Sequence, residues 1–312
     1  FSDQIDRGKT QIQGVANAPA HKDYQTLLAD RSIDAVFIAT PVYLHPEHFE
    51  AAVAAGKHIY CEKPAGADVA GVKRLLRAAE RADRSRHIVF GFQNRFSPEY
   101  RIAYDLVRSG QLGDLLLMEC HFNKGGQAAI TTESKYPIDE QPVRHWGVNR
   151  KTSGDIIVEQ DCHGMDVLNW FAAARPLRAI GSGGRNIRRF GDNLDHLNVA
   201  FEYPGGLRGM LMATQMTPLW YRDVREHFIG SRGVLETHRN YYKWMRGTED
   251  VRKVDSKREI TIDAVVEFVD RILAGRPENT ASAACESTLT SILGRMAIDA
   301  RREVSWDEMM RS

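Results

Sequence analysis

Between Ala35 and Phe92, short continuous apolar runs alternate with longer stretches whose apolar residues recur at helical spacing. Ala35-Val36-Phe37-Ile38-Ala39 predicts a buried strand closed by Thr40-Pro41, and the stretch opened by Pro46, with Phe49, Ala52 and Val53, predicts a helix stopping at Gly56. His58 to Cys61 predicts the next strand. Val69, Val72, Leu75, Leu76 and Ala79 then mark the apolar face of a second helix, and His87 to Phe92 a third strand. This βαβαβ order favours a parallel sheet covered by helices. Ligands of such sheets gather at the carboxyl ends of the strands, where Thr40-Pro41 and Glu62-Lys63-Pro64 both fall.

The texture then changes. A helix from Pro98 to Arg108 closes at Gly110, and Leu115 to Phe122, Leu197 to Tyr203, Leu207 to Thr214 and His227 to Ile229 predict strands. Gly205-Gly206 separates two of them as a hairpin turn does. The expectation is a boundary near residues 95–112, followed by a mostly antiparallel sheet carrying a helix from about Val158 to Phe171. Residues 123–152, polar and punctuated by Gly125-Gly126, Pro137 and Pro142, predict a long excursion able to cover a cleft. Helices near Ile262 to Leu273 and Ala281 to Ile298 complete an α/β plus α+β reading with no internal repeat.

Composition narrows the function classes. The chain has 312 residues, enough for two domains, and its net charge of +1 calls for neither nucleic acid nor an anionic membrane. Cys61, Cys120, Cys162 and Cys285 lie far apart without a CxxC pair, which argues against a zinc knuckle, a redox dithiol or a disulfide framework. No run approaches the roughly 20 apolar residues of a membrane span. Phe1 to Lys9 is polar rather than signal-like, so a cytoplasmic location is expected, with an exported form left open because the chain starts at Phe1 without methionine.

Two segments carry candidate chemistry. At the mouth of a parallel sheet the Lys63 ammonium can hold a carbonyl oxygen or shuttle a proton, although a lysine in a turn is as often simply solvated. In the second segment, Glu159, His163, Asp166 and Trp170 follow steps of four, three and four and share one face of the expected helix, beside an apolar face of Val158, Cys162, Met165 and Leu168. An imidazole in that stripe can take a hydroxyl proton while a carboxylate fixes its tautomer; the alternative is an ordinary satisfied histidine. Glutamate and histidine also bind metals, but no HExxH accompanies them and no metal site is expected. Hydrolysis by a nucleophile is disfavoured by the lack of a GxSxG elbow and by Cys162 pointing away from the His163 face. Arg185, Arg188 and Arg189 can meet an anion or form a solvated turn, and His121, Lys135, Tyr136, Arg144 and Trp146 can line a sugar-sized pocket or merely pack.

Ala39-Thr40-Pro41 with His45, Gly56-Lys57-His58 through Glu62-Lys63-Pro64, and Gly91-Phe92-Gln93-Asn94-Arg95-Phe96 together resemble the glucose-fructose oxidoreductase, inositol dehydrogenase and rhizopine catabolism family of nicotinamide-dependent enzymes. The resemblance continues through Gly154, Glu159, His163, Asp166, Gly183-Gly184-Arg185, Asp195-His196, Gln215, Glu286-Ser287-Thr288-Leu289 and Trp306. It implies a partial nucleotide-binding domain over 1–95, truncated at its start, and a linker, substrate and oligomerisation domain with C-terminal helices over 96–312. It further implies Lys63 and His163 as the catalytic pair, with Glu159 where relatives usually carry aspartate. Asp166, Arg95, Tyr136, Trp146 and Arg185 are the expected substrate contacts, and Thr40, Pro41, His45 and Glu62 the expected contacts of an NAD or NADP cofactor.

By the same resemblance the substrate is a sugar, glycoside or cyclic polyol that exchanges a hydride with nicotinamide, and the open sheet serves a homodimer or homotetramer. Redox-neutral sugar modification with a retained cofactor, or sugar sensing without catalysis, are the alternatives. One departure stands out: no GxGxxG precedes the first strand, since Gly8 and Gly14 do not supply its spacing. The expectation is a Gly-rich strand-to-helix turn encoded upstream of Phe1, with Gln11 to Val15 as a connecting segment or edge strand.

Overall fold

The computed structural model describes residues 2–14, 16–125 and 137–312. Two short helices, α1 (Ser2–Gln11) and α2 (Tyr24–Ala29), come first, and the Asp23 carboxylate caps α2 by accepting the Thr26 amide at 2.7 Å. Residues 11–14 end α1 and turn, and no edge strand forms there. Three strands, β1 (Ala35–Ile38), β2 (His58–Cys61) and β3 (Ile88–Phe90), then pair in parallel in that order. The helices between them are α3 (His45–Ala54) and α4 (Val69–Glu80), the latter capped by Asp68. Ile38 and Cys61 are register partners, so the segments beginning at Thr40 and Glu62 leave the sheet side by side.

The larger layer begins after α5 (Pro98–Arg108) with β4 (Leu115–Lys124). Among the described residues, the α-helices α6 (Gln141–Arg144), α7 (Arg150–Ser153), α8 (Ile156–Glu159) and α9 (Cys162–Ala172) follow. Then come β5 (Arg178–Gly184), β6 (His196–Glu202), β7 (Arg208–Thr214), β8 (Arg222–Gly230), β9 (Val234–His238), β10 (Tyr241–Met245) and β11 (Val251–Asp255). The chain closes with α10 (Ile260–Leu273), α11 (Ala281–Ala300), β12 (Val304–Ser305) and α12 (Trp306–Arg311). The sheet order is β11-β10-β9-β8-β4-β7-β6-β5-β12, antiparallel except for the β4–β7 pair. A parallel Rossmann-like sheet thus precedes a mostly antiparallel open sheet in an α+β layer, as the patterning predicts. The expected glycine hairpin joins β6 to β7, with Gly205 and Gly206 at φ +74° and +82°.

One face of the open sheet is apolar because alternate residues point the same way. Met118, Cys120 and Phe122 on β4, and Leu197, Val199 and Phe201 on β6, are buried. Phe171 of α9 stacks on Phe228 of β8 at 4.3 Å, and α9 lies so close under β4 that a Cβ on Gly164 would stand 2.1 Å from the Cys120 sulfur. α11 joins the two layers. Its Thr288 hydroxyl accepts the Ala65 amide at 3.0 Å while its Thr290 hydroxyl accepts from Asn169 of α9 at 2.8 Å. Phe268 of α10 meanwhile packs beside Tyr60 and Val89 of the parallel sheet.

The expected single helix from Val158 to Phe171 is instead two, α8 and α9, broken at Gln160-Asp161. Asp161 is buried there and its amide bonds back to the Ile156 carbonyl, five residues earlier, which is wider than a regular α-turn. A helical wheel drawn through the break therefore misplaces Glu159 relative to His163.

Candidate active site

Lys63 and Glu159 join the two layers. Lys63 follows β2 after Glu62, and the Lys63–Pro64 bond is cis. His45 fixes this loop: it is buried, with Nδ1 2.7 Å from the Pro64 carbonyl oxygen and Nε2 2.8 Å from that of Thr40, so one side chain spans the loops after β1 and β2. Burial pushes the His45 pKa below its usual value, and a neutral ring donates to one of those carbonyls at a time. Glu62 lies over Gly91, where a Cβ would come within 2.6 Å of its carboxylate, so the glycine makes room for the acid. Burial raises the Glu62 pKa and the Lys63 charge opposes the rise.

Glu159 is aimed by a constrained turn. Gly154 has φ +81° and Asp155 φ +76°, an uncommon region for aspartate, and the buried Asp155 carboxylate accepts the amides of Ile156 at 2.7 Å and Leu194 at 2.9 Å. α8 runs for one turn from that point and ends at Glu159. There the Lys63 ammonium donates to the Glu159 backbone carbonyl and, at 3.0 Å, to its Oε1. Burial alone would lower the Lys63 pKa, but the Glu159 charge and hydrogen bond, with Cys162 and Glu62 nearby, leave it above the ordinary lysine value. Lys63 is therefore a fixed ammonium.

His163 receives the opposite treatment. It sits in the first turn of α9, half-buried, with its ring edge-on to Phe92 at 6.1 Å. It opens on a cavity of about 570 Å³ shared with Asn94, Arg222, Glu226, Arg239 and Asn240. Burial, then the charges of Lys63, Arg239 and Lys124, hold its pKa well below the usual histidine value. A neutral imidazole with a free lone pair is the species present near neutral pH. An ammonium for an oxygen and a neutral base for a proton are the parts needed to interconvert a hydroxyl and a carbonyl.

The other expected residues are distributed unevenly. Asp166 is 1% exposed, and its carboxylate faces protein rather than the cavity: Arg95 pairs with both oxygens at 2.8–3.1 Å and Ser287 donates to Oδ1 at 2.7 Å. Arg95 also lies over the Trp170 ring at 5.1 Å and lines a separate cavity with Phe90, Phe92 and Glu286. Glu159 and Trp146 share a cavity of about 300 Å³ with Arg188 and Gln215. Arg185 is exposed and donates to the Gly191 carbonyl at 2.7 Å. Of the three arginines in that turn, Arg188 is the one folded inward, hydrogen-bonded to Gln215, which in turn donates to Gln160 at 2.7 Å. Thr40 bonds His48 at 3.0 Å and stands with Pro41 at the carboxyl end of β1. Tyr136 lies outside the described residues. The β8 and β9–β10 contributors Arg222, Arg239 and Asn240 carry no sequence motif and are brought to His163 only by the strand pairing.

Among the described residues, no helix is long and apolar enough to cross a membrane. The solved structure of levoglucosan dehydrogenase in complex with NADH and levoglucosan superposes with a TM-score of 0.81 at 16% identity, over 97% of this chain and 87% of that one. That of scyllo-inositol dehydrogenase from Lactobacillus casei, with bound NAD(H) and scyllo-inositol, gives 0.76 at 20% identity over 98% and 89%. In sequence, the inositol 2-dehydrogenase of Acidothermus cellulolyticus is 30% identical over 196 residues, 62% of this chain and 51% of that protein. The chain spans about half the length of the curated relatives it matches. Residues 3–90 match the family model described as "Oxidoreductase family, NAD-binding Rossmann fold", and residues 100–236 match the "GFO/IDH/MocA C-terminal domain". With a parallel sheet under the first match and the open sheet under the second, this chain belongs to the GFO/IDH/MocA family of oxidoreductases.

Proposed function

We propose that the chain acts as an NAD(P)-dependent dehydrogenase on a hydroxyl of a sugar, glycoside or cyclic polyol. The observation that carries this reading is geometric: Lys63, at the carboxyl end of the parallel sheet, is held by Glu159 at the end of α8, and His163, in the first turn of α9, opens on a cavity, with the pKa of Lys63 shifted up and that of His163 shifted down. Relatives named for inositol and levoglucosan support the substrate class. The residues suited to the cofactor are Thr40, Pro41 and Glu62, side by side at the carboxyl ends of β1 and β2, where parallel sheets receive nucleotides. A nicotinamide bound there supplies the hydride acceptor or donor. In the oxidative direction His163 takes the hydroxyl proton while the Lys63 ammonium stabilises the oxygen as the carbonyl develops. Glu159 keeps Lys63 charged and in place.

The test is incubation with NAD⁺ or NADP⁺ and a panel of inositols, aldoses and anhydrosugars, monitored by absorbance of the reduced cofactor. His163→Ala is expected to lower kcat by roughly 100-fold or more, the scale of general-base catalysis, with cofactor Kd little changed. Measured cofactor binding without turnover of any such substrate, or equal losses in kcat and cofactor binding, would remove the catalytic assignment.

A further inference from the structure

A second group of polar side chains lies on the opposite face of the open sheet, away from α9. Glu119 and His121 are two residues apart on β4, and His227 of β8 is the register partner of Glu119, so the pleat presents all three on one face. Their ligand-type atoms come within 4.8 Å of one another. His227 Nδ1 is 3.4 Å and His121 Nε2 4.0 Å from Glu119 Oε2, and the two rings meet edge to face at 5.9 Å.

What stands behind these groups distinguishes them from a chance surface cluster. His227 Nε2 is 2.8 Å from Glu236 Oε2, and the Tyr241 hydroxyl donates to the other Glu236 oxygen at 2.7 Å. Nε2 is thereby turned toward Glu236, which leaves Nδ1 facing Glu119. His121 shows the complementary feature: its Nδ1 is buried without a hydrogen-bond partner among the described residues, and the Asp223 carboxylate stands 3.9 Å away. Arg225, the register partner of His121, is 2.9 Å from Asp223 and 3.5 Å from Glu236.

We propose that Glu119, His121 and His227 form a binding site for a divalent transition-metal ion, with zinc the best match to two imidazoles and one carboxylate. A Glu119 carboxylate oxygen, His121 Nε2 and His227 Nδ1 are the ligand atoms, and a fourth position stays open to water. Glu236 orients the His227 ring from behind, the carboxylate–histidine–metal arrangement common at such sites, while Asp223 stands 3.9 Å from the far nitrogen of His121. Tetrahedral coordination with bonds of about 2.0–2.1 Å draws ligand atoms to about 3.3 Å apart, so the ion pulls the His121 ring inward from its present 4.0 Å. The site is independent of the hydride-transfer reading, because His163 lies on the α9 side of the sheet.

The test is titration of the full chain, stripped with a chelator and dialysed, using zinc chloride in a calorimeter and cobalt(II) chloride in a visible spectrophotometer. The expected result is one ion per chain, with the intense visible bands of four-coordinate cobalt. His121→Ala and His227→Ala should each weaken zinc binding at least tenfold, and Glu236→Gln by roughly 10-fold, the lower end for loss of an orienting partner. Circular dichroism and thermal melting establish that each variant is folded. His163→Ala should bind zinc unchanged. The proposal is overturned if the folded wild-type chain takes up no stoichiometric zinc, if both histidine variants bind as the wild type does, or if His163→Ala is the variant that loses the ion.

Discussion

Glu226 should make the stability of this protein fall as pH rises through neutrality. Its carboxylate is buried on β8, accepting hydrogen bonds at Oε2 from the Tyr100 hydroxyl at 3.0 Å and the Thr237 hydroxyl at 2.7 Å. Burial raises its pKa from 4.5 to about 7, the two donors opposing the rise without cancelling it. Between those values the folded chain holds a proton that the unfolded chain has released, so the unfolding free energy declines with pH. The contribution is intact below about pH 4.5 and lost as pH passes about 7. A gap of about 2.5 pH units at about 1.4 kcal/mol each gives roughly 3 kcal/mol.

Glu226→Gln removes the titration while keeping the shape and an oxygen to accept both hydroxyls. Urea unfolding of wild type and variant at pH 5, 6, 7 and 8 isolates the effect, because the histidines that titrate in the same range are common to both. The variant should gain on the wild type by about 2–3 kcal/mol between pH 5 and pH 8. Parallel stability curves across that range would refute the reasoning, and would mean that the carboxylate is ionised in the folded state at little cost.

Asp166→Ala strands the Arg95 guanidinium and should cost roughly 2–4 kcal/mol in urea unfolding, below the full penalty for breaking a buried pair because the Arg95 side chain is 26% exposed. Gly164→Ala drives a Cβ against the Cys120 sulfur and should destabilise by about 1–3 kcal/mol despite the better helix propensity of alanine, with Cys120→Ala in the same chain recovering most of the loss on the same assay. Glu159→Gln removes the charge that holds the Lys63 pKa up, so the alkaline limb of the kcat/KM profile for the dehydrogenase reaction should move to lower pH; an unmoved limb would separate Lys63 from the chemistry.

What the sequence revealed, and what it hid, follow from the range of the interactions involved. The βαβαβ order was legible because each element has its own apolar period and its own punctuation, such as Thr40-Pro41 or Gly56. The Gly205-Gly206 hairpin was legible because a tight turn needs residues that accept positive φ. β9 to β11 were not anticipated, since each is five residues long and their buried residues, Leu235, Thr237, Tyr242 and Trp244, form no continuous apolar run. The break at Gln160-Asp161 was hidden for a different reason. No proline or glycine marks it; there the Asp161 amide bonds back to the Ile156 carbonyl and Gln160 accepts from Gln215 of a distant segment, contacts that local spacing does not signal. Of the arginines after β5, periodicity cannot tell which one folds inward; that depends on Gln215 at the end of β7.

The consequence for the site is that its two principal groups are set by one electrostatic arrangement rather than by two separate environments. Lys63 and His163 both lose solvation, which by itself disfavours charge on either. Only Lys63 is given a carboxylate in direct contact, because the helix break turns the end of α8 onto the loop after β2. Its retained charge then adds to those of Arg239 and Lys124 in keeping His163 neutral. An unbroken helix would place Glu159 on the His163 stripe, as the sequence spacing suggests, where the carboxylate would stabilise an imidazolium instead. The irregularity that no motif announces is therefore what separates a neutral imidazole from a fixed cation.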